Sequence, residues 1–295
     1  MTGWRPLLPA AAAGTTLTAL GLLSLTVPVA RTLPGNASGP HLAPPSARYP
    51  FGTTDTGLSV LDLVVFGAHR TLIIAALSTA LALGVGTATG VLAGHFQGWP
   101  DRVLSRFTQW VLVLPQLPLA ITIAAVLGPG LAQLSLAIAL AYWPATARVV
   151  RAAVVATESL PHLERARALG AGHWRQIRVH TWPAVLPVVI TCTTLTLGNA
   201  LLSEATLSFF GLGDTTSVTW GGMLQDASGI GAITAGAWWY LLAPGLAITL
   251  VVMVCSIAGR STEAALGRHQ AHGLLLRRPR WRRSAAGEPA GPEPV

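Results

Sequence analysis

Groups that could do chemistry are scarce in this sequence. Its 295 residues include 11 acidic residues, two cysteines and no lysine. Asp101 and Glu158 lie beside arginines at the ends of apolar stretches, and no paired carboxylates or nucleophile and base emerge. We interpret these dispersed polar residues as solvated or capping. A phosphate-binding loop is ruled out because that motif requires lysine. The sequence therefore predicts no enzyme active site, no metal site and no cofactor.

Glu204 is an acidic residue inside an apolar stretch. An ionised carboxylate in the middle of a bilayer costs about 2.5 to 3.5 kcal/mol on insertion scales. The side chain therefore needs a polar partner or water. Two interpretations stay open: a structural polar contact near the outer mouth, and a direct contact with a bound solute.

A polar segment at residues 157–182 separates two apolar stretches. Pro161 suits the first turn of a helix, and Glu164 favours the positive N-terminal end of that helix. Gly170 is a typical residue for ending it. Residues 173–181 predict a second short helix that runs into the next apolar stretch. The segment is therefore expected to fold as helix, turn and helix on the membrane surface.

The elements that must position these residues are membrane spans. Hydrophobic residues make up 52% of the chain and charged residues 10%, whereas an ordinary globular domain carries about a quarter charged residues. A helix needs about 20 apolar residues to cross the hydrocarbon core. Six stretches satisfy this length, at residues 8–30, 72–94, 107–127, 131–155, 184–210 and 238–258.

The basic residues set the expected orientation. The formal net charge is +8 and every basic residue is an arginine. With six spans and both termini in the cytoplasm, all but Arg31, Arg48 and Arg70 fall in cytoplasmic segments, as expected for arginines near spans. This distribution favours membrane orientation over nucleic-acid binding. Residues 8–30 also fit a signal peptide, and either reading leaves the remaining topology unchanged.

Three regions follow from this pattern. Residues 1–70 hold the first span and a long outer loop, and residues 71–259 hold the transmembrane core with the polar segment. Residues 260–295 form a cytoplasmic tail rich in arginine and proline, suited to contact with anionic membrane lipid or to simple solvation. Cys192 and Cys255 each lie in an apolar stretch and are predicted to be small core residues.

Several runs of sequence carry a resemblance to a known family. They occur in order at fixed places relative to the spans and cover about residues 50 to 268: GVLAGHFQGWPDRVLSRF, VLGPGL, ERARALGAGHWRQIRVHTWPAVLP, LLSEATLSFFGLG and TWGGML. The set resembles the permease subunits of ATP-binding-cassette importers, in the dipeptide, oligopeptide and nickel branch. The expected fold class is therefore all-α: a polytopic membrane protein of about six transmembrane helices with a cytoplasmic helix-turn-helix coupling loop.

The resemblance implies roles for particular residues. Glu164, Ala166 and Gly170 match the signature of the family's coupling loop, whose first helix docks in a groove of the ATPase subunit. Arg165 and Arg167 belong to the same helix. Glu204 matches a glutamate common in the family and is a possible residue of the translocation path.

The resemblance also implies partners and a place in the cell. The expected complex contains a second homologous permease, two ATP-binding-cassette ATPases and an extracytoplasmic solute-binding protein, in the bacterial inner membrane. ATP hydrolysis is expected on the separate ATPase subunits. The expected solutes are di- or oligopeptides, with nickel or another small solute as the alternative.

Three positions depart from the family pattern. Arg165 stands where the family usually has Ala, Trp182 where it usually has Leu, and Leu58 where Arg is common. A bulky cation at position 165 is expected to change the docking angle or to pair with an acidic residue on this chain's own ATPase.

Two other classes of protein remain open. A secondary carrier driven by an ion gradient often holds several ionisable groups at mid-membrane, whereas Glu204 is nearly alone here. Transport without any ATPase would favour that carrier. A membrane partner that does not itself transport would co-purify with ATPases and give no uptake.

Overall fold

The computed structural model describes residues 39–214 and 217–275, with side chains through residue 259. Helices form most of the regular structure in these residues. A π-helical turn, Ile177–Thr181, lies between the helices His173–Gln176 and Trp182–Phe209. The predicted all-α class is confirmed, and within the described residues β pairing is limited to one isolated bridge between Thr53 and Ser59. The helices are α1 Val60–His95, α2 Trp99–Val113, α3 Gln116–Leu127, α4 Leu131–Glu158, α5 Pro161–Ala168, α6 His173–Gln176, α7 Trp182–Phe209, α8 Trp220–Gly229 and α9 Trp239–Leu275.

Four helical stretches are long and apolar enough to cross a membrane. They are α1, α4, the continuous stretch His173–Phe209 that contains α7, and the Trp239–Gly259 part of α9. These coincide with four of the six predicted spans. The predicted span at residues 8–30 lies outside the described residues, as does the tail beyond residue 275.

The predicted span at residues 107–127 is interrupted by a sharp bend. Its residues belong to two helices, α2 and α3, which meet at an angle of 91°. Leu114 between them is extended, with φ −76° and ψ 133°, because a residue that precedes proline is pushed out of the helical region. Pro115 then caps α3 without an N–H to continue the helical bonding. The chain therefore makes a broken span or a re-entrant turn here.

Two helices extend beyond the boundaries predicted from hydropathy. Helix α1 begins at Val60 rather than at residue 72, because the Ser59 side chain accepts a hydrogen bond from the Asp62 N–H and caps the helix. Helix α9 continues to Leu275, past the predicted region boundary at residue 260. Hydropathy marks only the part of a helix that lipid surrounds, so it misses such extensions.

The most extensive helix packing is between α1 and α4. Gly86, Gly90 and Gly94 lie one turn apart on α1, facing α4. A Cβ atom at Gly90 would lie 2.7 Å from the Ala147 carbonyl oxygen and 2.8 Å from the Val150 Cβ. The glycines therefore allow the two helix backbones to approach closely.

The bundle has two distinct ends. At the first, which we call the loop end, α1 and α4 finish and the segment containing α5 and α6 lies against them. At the opposite end, α8 packs against the C-terminal part of α7 and the start of α1. The backbone N–H of Trp220 on α8 donates to the Thr71 hydroxyl at 3.1 Å, and its indole N–H donates to the Val64 carbonyl at 2.8 Å.

Candidate functional site

The first helix of the loop, α5, begins as its sequence predicts. Leu160 is extended, as expected before proline, and Pro161 occupies the first turn. Leu163 is fully buried and anchors the helix against the bundle. Because α5 has only eight residues, it is too short to be stable alone, and this contact is needed to hold it.

Gly170 ends α5 in a Schellman motif. Its φ is +80°, a value that costs other residues steric strain. The Gly170 N–H donates to the Arg167 carbonyl at 2.9 Å, and the Ala171 N–H donates to the Ala166 carbonyl at 3.0 Å. These two bonds satisfy helix-terminal carbonyls and turn the chain back toward α6. A Cβ atom at Gly170 would meet no other atom within 4 Å, so the glycine is required for its backbone conformation rather than for space.

The outward surface of the loop combines charged and apolar side chains. Glu164 and Arg165 on α5 are exposed, and Ala166 between them and Arg167 is partly exposed. Leu169 is 88% exposed and Trp174 is 73% exposed. Large apolar side chains exposed in a polar segment are typical of a surface that binds another protein.

A buried carboxylate holds the loop to the bundle. Glu158, the last residue of α4, has a side chain that is only 1% exposed. Its Oε1 accepts hydrogen bonds from His95 Nδ1 at 2.7 Å and from the Thr181 hydroxyl at 3.0 Å. The Arg167 guanidinium pairs with the other oxygen, Oε2. One carboxylate thus receives bonds from the end of α1, from α5 and from the start of the α7 span.

Two further residues extend these contacts across the loop. His95 Nε2 lies 3.0 Å from His173 Nδ1 on α6, within hydrogen-bond distance. Arg167 Nε donates to Gln176 Oε1 at 3.2 Å, and Gln176 Nε2 donates to the Ala171 carbonyl at 2.5 Å. We call the six residues that make these contacts the polar anchor: His95, Glu158, Arg167, His173, Gln176 and Thr181.

The interpretation of Glu158 as solvated or capping is therefore wrong. Its carboxylate is buried and satisfied by side chains from three other segments. The sequence did contain a signal that could have identified it, because the second and fourth predicted spans end on the same side of the membrane, shortly before His95 and Glu158. A hydrogen-bonding pair at neighbouring helix ends is a simple way to bury both groups.

Asp101 is also a partner in an ion pair rather than an isolated polar residue. Arg151 on α4 donates through Nε and Nη2 to the two Asp101 carboxylate oxygens, at 2.6 and 2.7 Å. This bidentate ion pair fixes the relative orientation of the two side chains in addition to pairing their charges. The pair joins the start of α2 to α4, near the loop end but apart from the polar anchor.

Glu204 lies at the opposite end of the bundle and is fully buried. Its Oε1 accepts a hydrogen bond from the Ser208 hydroxyl at 3.0 Å, one turn further along α7. The other carboxylate oxygen has no hydrogen-bond partner among the described residues. The hydroxyls of Thr71 and Thr219 flank the group, so the carboxyl occupies the junction of α1, α7 and α8.

A cavity opens near this junction. It has a volume of about 500 Å³ and is lined by residues that include Asp55, Val218, Asp226 and Tyr240. Desolvation by surrounding side chains, and then the neighbouring Asp55 carboxylate, raise the pKa of Asp226. The cavity therefore places two neighbouring carboxyl groups at the end opposite the loop.

Known proteins with similar sequences are transport permeases. A family model described as "binding-protein-dependent transport system inner membrane component" matches residues 86–270. The dipeptide transport system permease protein DppC of Alkalihalophilus pseudofirmus is 35% identical over 80% of this chain and 76% of its own length. The glutathione transport system permease protein GsiD of Pectobacterium atrosepticum is 30% identical over 75% of this chain and 73% of its own.

A solved structure has a similar fold. In inward-facing conformations of the MetNI methionine ABC transporter, one chain superimposes with a TM-score of 0.58 at 20% identity, covering 70% of this chain and 97% of its own. The arrangement of helices found here therefore also occurs in a chain of that transporter.

Proposed function

This chain belongs to the family of binding-protein-dependent transport system inner membrane components, and on that basis we propose that it is a peptide permease driven through the α5 loop by a separate ATPase. It is the permease subunit of a binding-protein-dependent importer, as its relatives are. The observation that carries the proposal is the loop itself: a short helix with an exposed apolar and charged surface, held by its other side to a buried carboxylate.

The exposed side of the loop is the proposed docking surface. Glu164, Arg165 and Ala166 face outward on α5, and Leu169 and Trp174 add apolar area on either side of the turn. Apolar side chains at the centre with charges around them suit a protein interface. Arg165 is free to pair with an acidic residue of the ATPase, which would make docking specific for this chain's own partner.

We propose that the loop lies in the cytoplasm of a bacterial cell with both chain termini on that side. The distribution of arginines supports this, because segments beside spans that carry arginine stay in the cytoplasm. The proposed complex contains a second homologous permease, two ATPases and an extracytoplasmic solute-binding protein. In it, this chain hydrolyses no ATP and converts movement of the ATPases into opening and closing of the path.

Di- or oligopeptides are the proposed solutes. The proposal rests on the relatives, one a dipeptide permease and another a glutathione permease. Uptake of a labelled dipeptide by the reconstituted complex with its own solute-binding protein tests it. If the same complex imports nickel and no peptide, the solute assignment is wrong while the permease assignment stands.

Glu204 is the proposed residue of the translocation path. Because its carboxyl is enclosed by α1, α7 and α8 in this conformation, it reaches a solute only when those helices separate during transport. Glu204→Gln keeps the size of the side chain and removes its charge. A changed affinity or rate of uptake, at normal abundance in the membrane, supports the role, and unchanged values for both assign Glu204 to packing alone.

Cross-linking tests the docking of the loop. Leu169→Cys places a thiol at a turn position that is 88% exposed, while Cys192 and Cys255 are buried. A thiol-reactive cross-linker should join position 169 to the ATPase in the assembled complex. Ile233→Cys, exposed at the opposite end, is the matched control and should give no such product. Absence of the product from position 169 in a complex that contains the ATPase would refute the proposed docking.

A further inference from the structure

The polar anchor is the connection between the loop and the bundle. Among the hydrogen bonds and ion pairs of the described residues, Arg167 is the one side chain of α5 that reaches other helices, through Glu158 and Gln176. The apolar contact of Leu163 is not directional. The orientation of α5 relative to the spans is therefore set largely by the bonds that converge on the Glu158 carboxylate.

The chemistry of these bonds makes the connection directional. The Glu158 carboxylate, which pairs with the Arg167 guanidinium, accepts hydrogen bonds, so His95 is the donor to Oε1 through its Nδ1–H. Thr181 donates to the same oxygen and the Arg167 guanidinium to the other. Hydrogen bonds to charged groups are roughly twice as strong as neutral ones, and little water reaches this carboxylate to replace them.

The spans that receive these bonds are suited to move as a unit. His95 is the last residue of α1 and Glu158 the last of α4, the pair with the most extensive packing in the bundle. Their glycine-lined contact is closely packed, and closely packed contacts have low compressibility and transmit strain. A displacement applied to the ends of α1 and α4 is therefore carried along both helices toward the opposite end.

We propose that Glu158, together with His95 and Arg167, transmits movement of the ATPase-docked loop to the α1 and α4 pair. These are positioning residues for the transport cycle: they contact neither ATP nor solute, and they determine how much of the loop's movement reaches the spans. The proposal rests on the proposed function, in which the loop is the docking element for the ATPase.

The test measures coupling rather than stability. Glu158→Gln keeps the shape and one acceptor oxygen but removes the charge that holds Arg167. In the reconstituted complex with its ATPases and solute-binding protein, peptide taken up per ATP hydrolysed should fall about two- to thirtyfold, the range expected for residues that modulate coupling between sites. Arg167→Gln should give a similar fall, and the double variant should be no worse than either single one, because both remove the same contact.

A matched control separates transmission from general weakening. Asp101→Asn also changes an acid to its amide in an ion pair with an arginine near the loop end, but it touches neither the loop nor the polar anchor. Its ratio of uptake to ATP hydrolysis should equal that of the unmodified complex. Because both quantities are taken per assembled complex, lower abundance of a variant does not affect the ratio.

Two outcomes would overturn the inference. The first is an unchanged ratio in Glu158→Gln. The second is loss of the cross-link between position 169 and the ATPase when Glu158→Gln is combined with Leu169→Cys, which would mean that the carboxylate only keeps the loop folded. These outcomes differ from a failure of the proposed function. If the proposed function is wrong, the cross-link or the uptake is already absent in the chain that retains Glu158.

Discussion

At the scale of single residues, the loop depends on one backbone conformation and one buried charge. Gly170 has a positive φ and open space around the position where a Cβ would be. Glu158 is enclosed and hydrogen-bonded to three segments. The first residue shapes the docking surface and the second fixes that surface to the spans, so substitutions at the two positions should have different effects.

Two substitutions at Gly170 separate strain from docking. Both alanine and arginine would have to adopt the positive φ, at a cost of about 1 to 2 kcal/mol. Alanine adds only a methyl group in open space, so Gly170→Ala should keep most ATP-dependent uptake. Gly170→Arg adds a long cation to the proposed docking surface and should abolish uptake.

The measurement is uptake of labelled peptide at matched abundance in the membrane. Full transport by Gly170→Arg would contradict a role for this turn in docking. Equal losses in the two variants would mean that backbone strain alone accounts for the defect.

At the scale of helices, the contact between α1 and α4 is set by the glycines on α1. Gly86, Gly90 and Gly94 approach the α4 backbone, whereas Gly84 on the same helix would have no atom within 4 Å of an added Cβ. The three glycines that face α4 are therefore required for steric reasons, whereas Gly84 is not.

Alanine substitutions on α1 should reflect this difference. Gly90→Ala places a methyl group 2.7 Å from the Ala147 carbonyl oxygen, and overpacking of this kind typically costs about 1 to 3 kcal/mol. Gly84→Ala should leave stability unchanged or raise it by up to about 1 kcal/mol, because alanine is the better helix former. Thermal unfolding of the purified complex in detergent measures both. Equal midpoints for the two variants would show that the α1 and α4 contact is looser than described.

At the scale of the whole molecule, the two ends of the bundle have different character. The loop end carries the polar anchor and the exposed side chains of α5 and its turn. The opposite end carries the Glu204 junction and a cavity with two carboxylates. A permease of this family needs such a difference, because one end must bind an ATPase and the other a solute-binding protein.

Labelling in intact cells tests which end faces the cytoplasm. A thiol at Leu169→Cys should be protected from a membrane-impermeant maleimide until the cells are opened. A thiol at Ile233→Cys, also exposed in the chain, should react in intact cells. The reverse pattern would contradict the orientation inferred from the arginines and the docking proposed for the loop.

The sequence alone determined the class of the protein and the location of its loop. Hydrophobic runs are local properties of the chain, so they located the regions of α1, α4, α7 and α9. The helix ends differed more, since α1 begins at Val60 rather than at residue 72 and α9 ends at Leu275 rather than at residue 258. The proline and glycine signals at Pro161 and Gly170 are equally local, since each residue restricts or permits its own backbone angles. The family resemblance followed from runs that the sequence shows directly, and it is confirmed.

Only the tertiary structure decided how these parts are joined. The 91° bend after Leu114, the pairing of Asp101 with Arg151, and the contacts of Glu158 with His95 and Arg167 were not predicted. Glu158 and His95 are 63 positions apart in the chain, and no local propensity states which polar groups at helix ends will meet. Their meeting depends on the packing of α1 against α4, because burial leaves each group no water to bond and makes the other its partner.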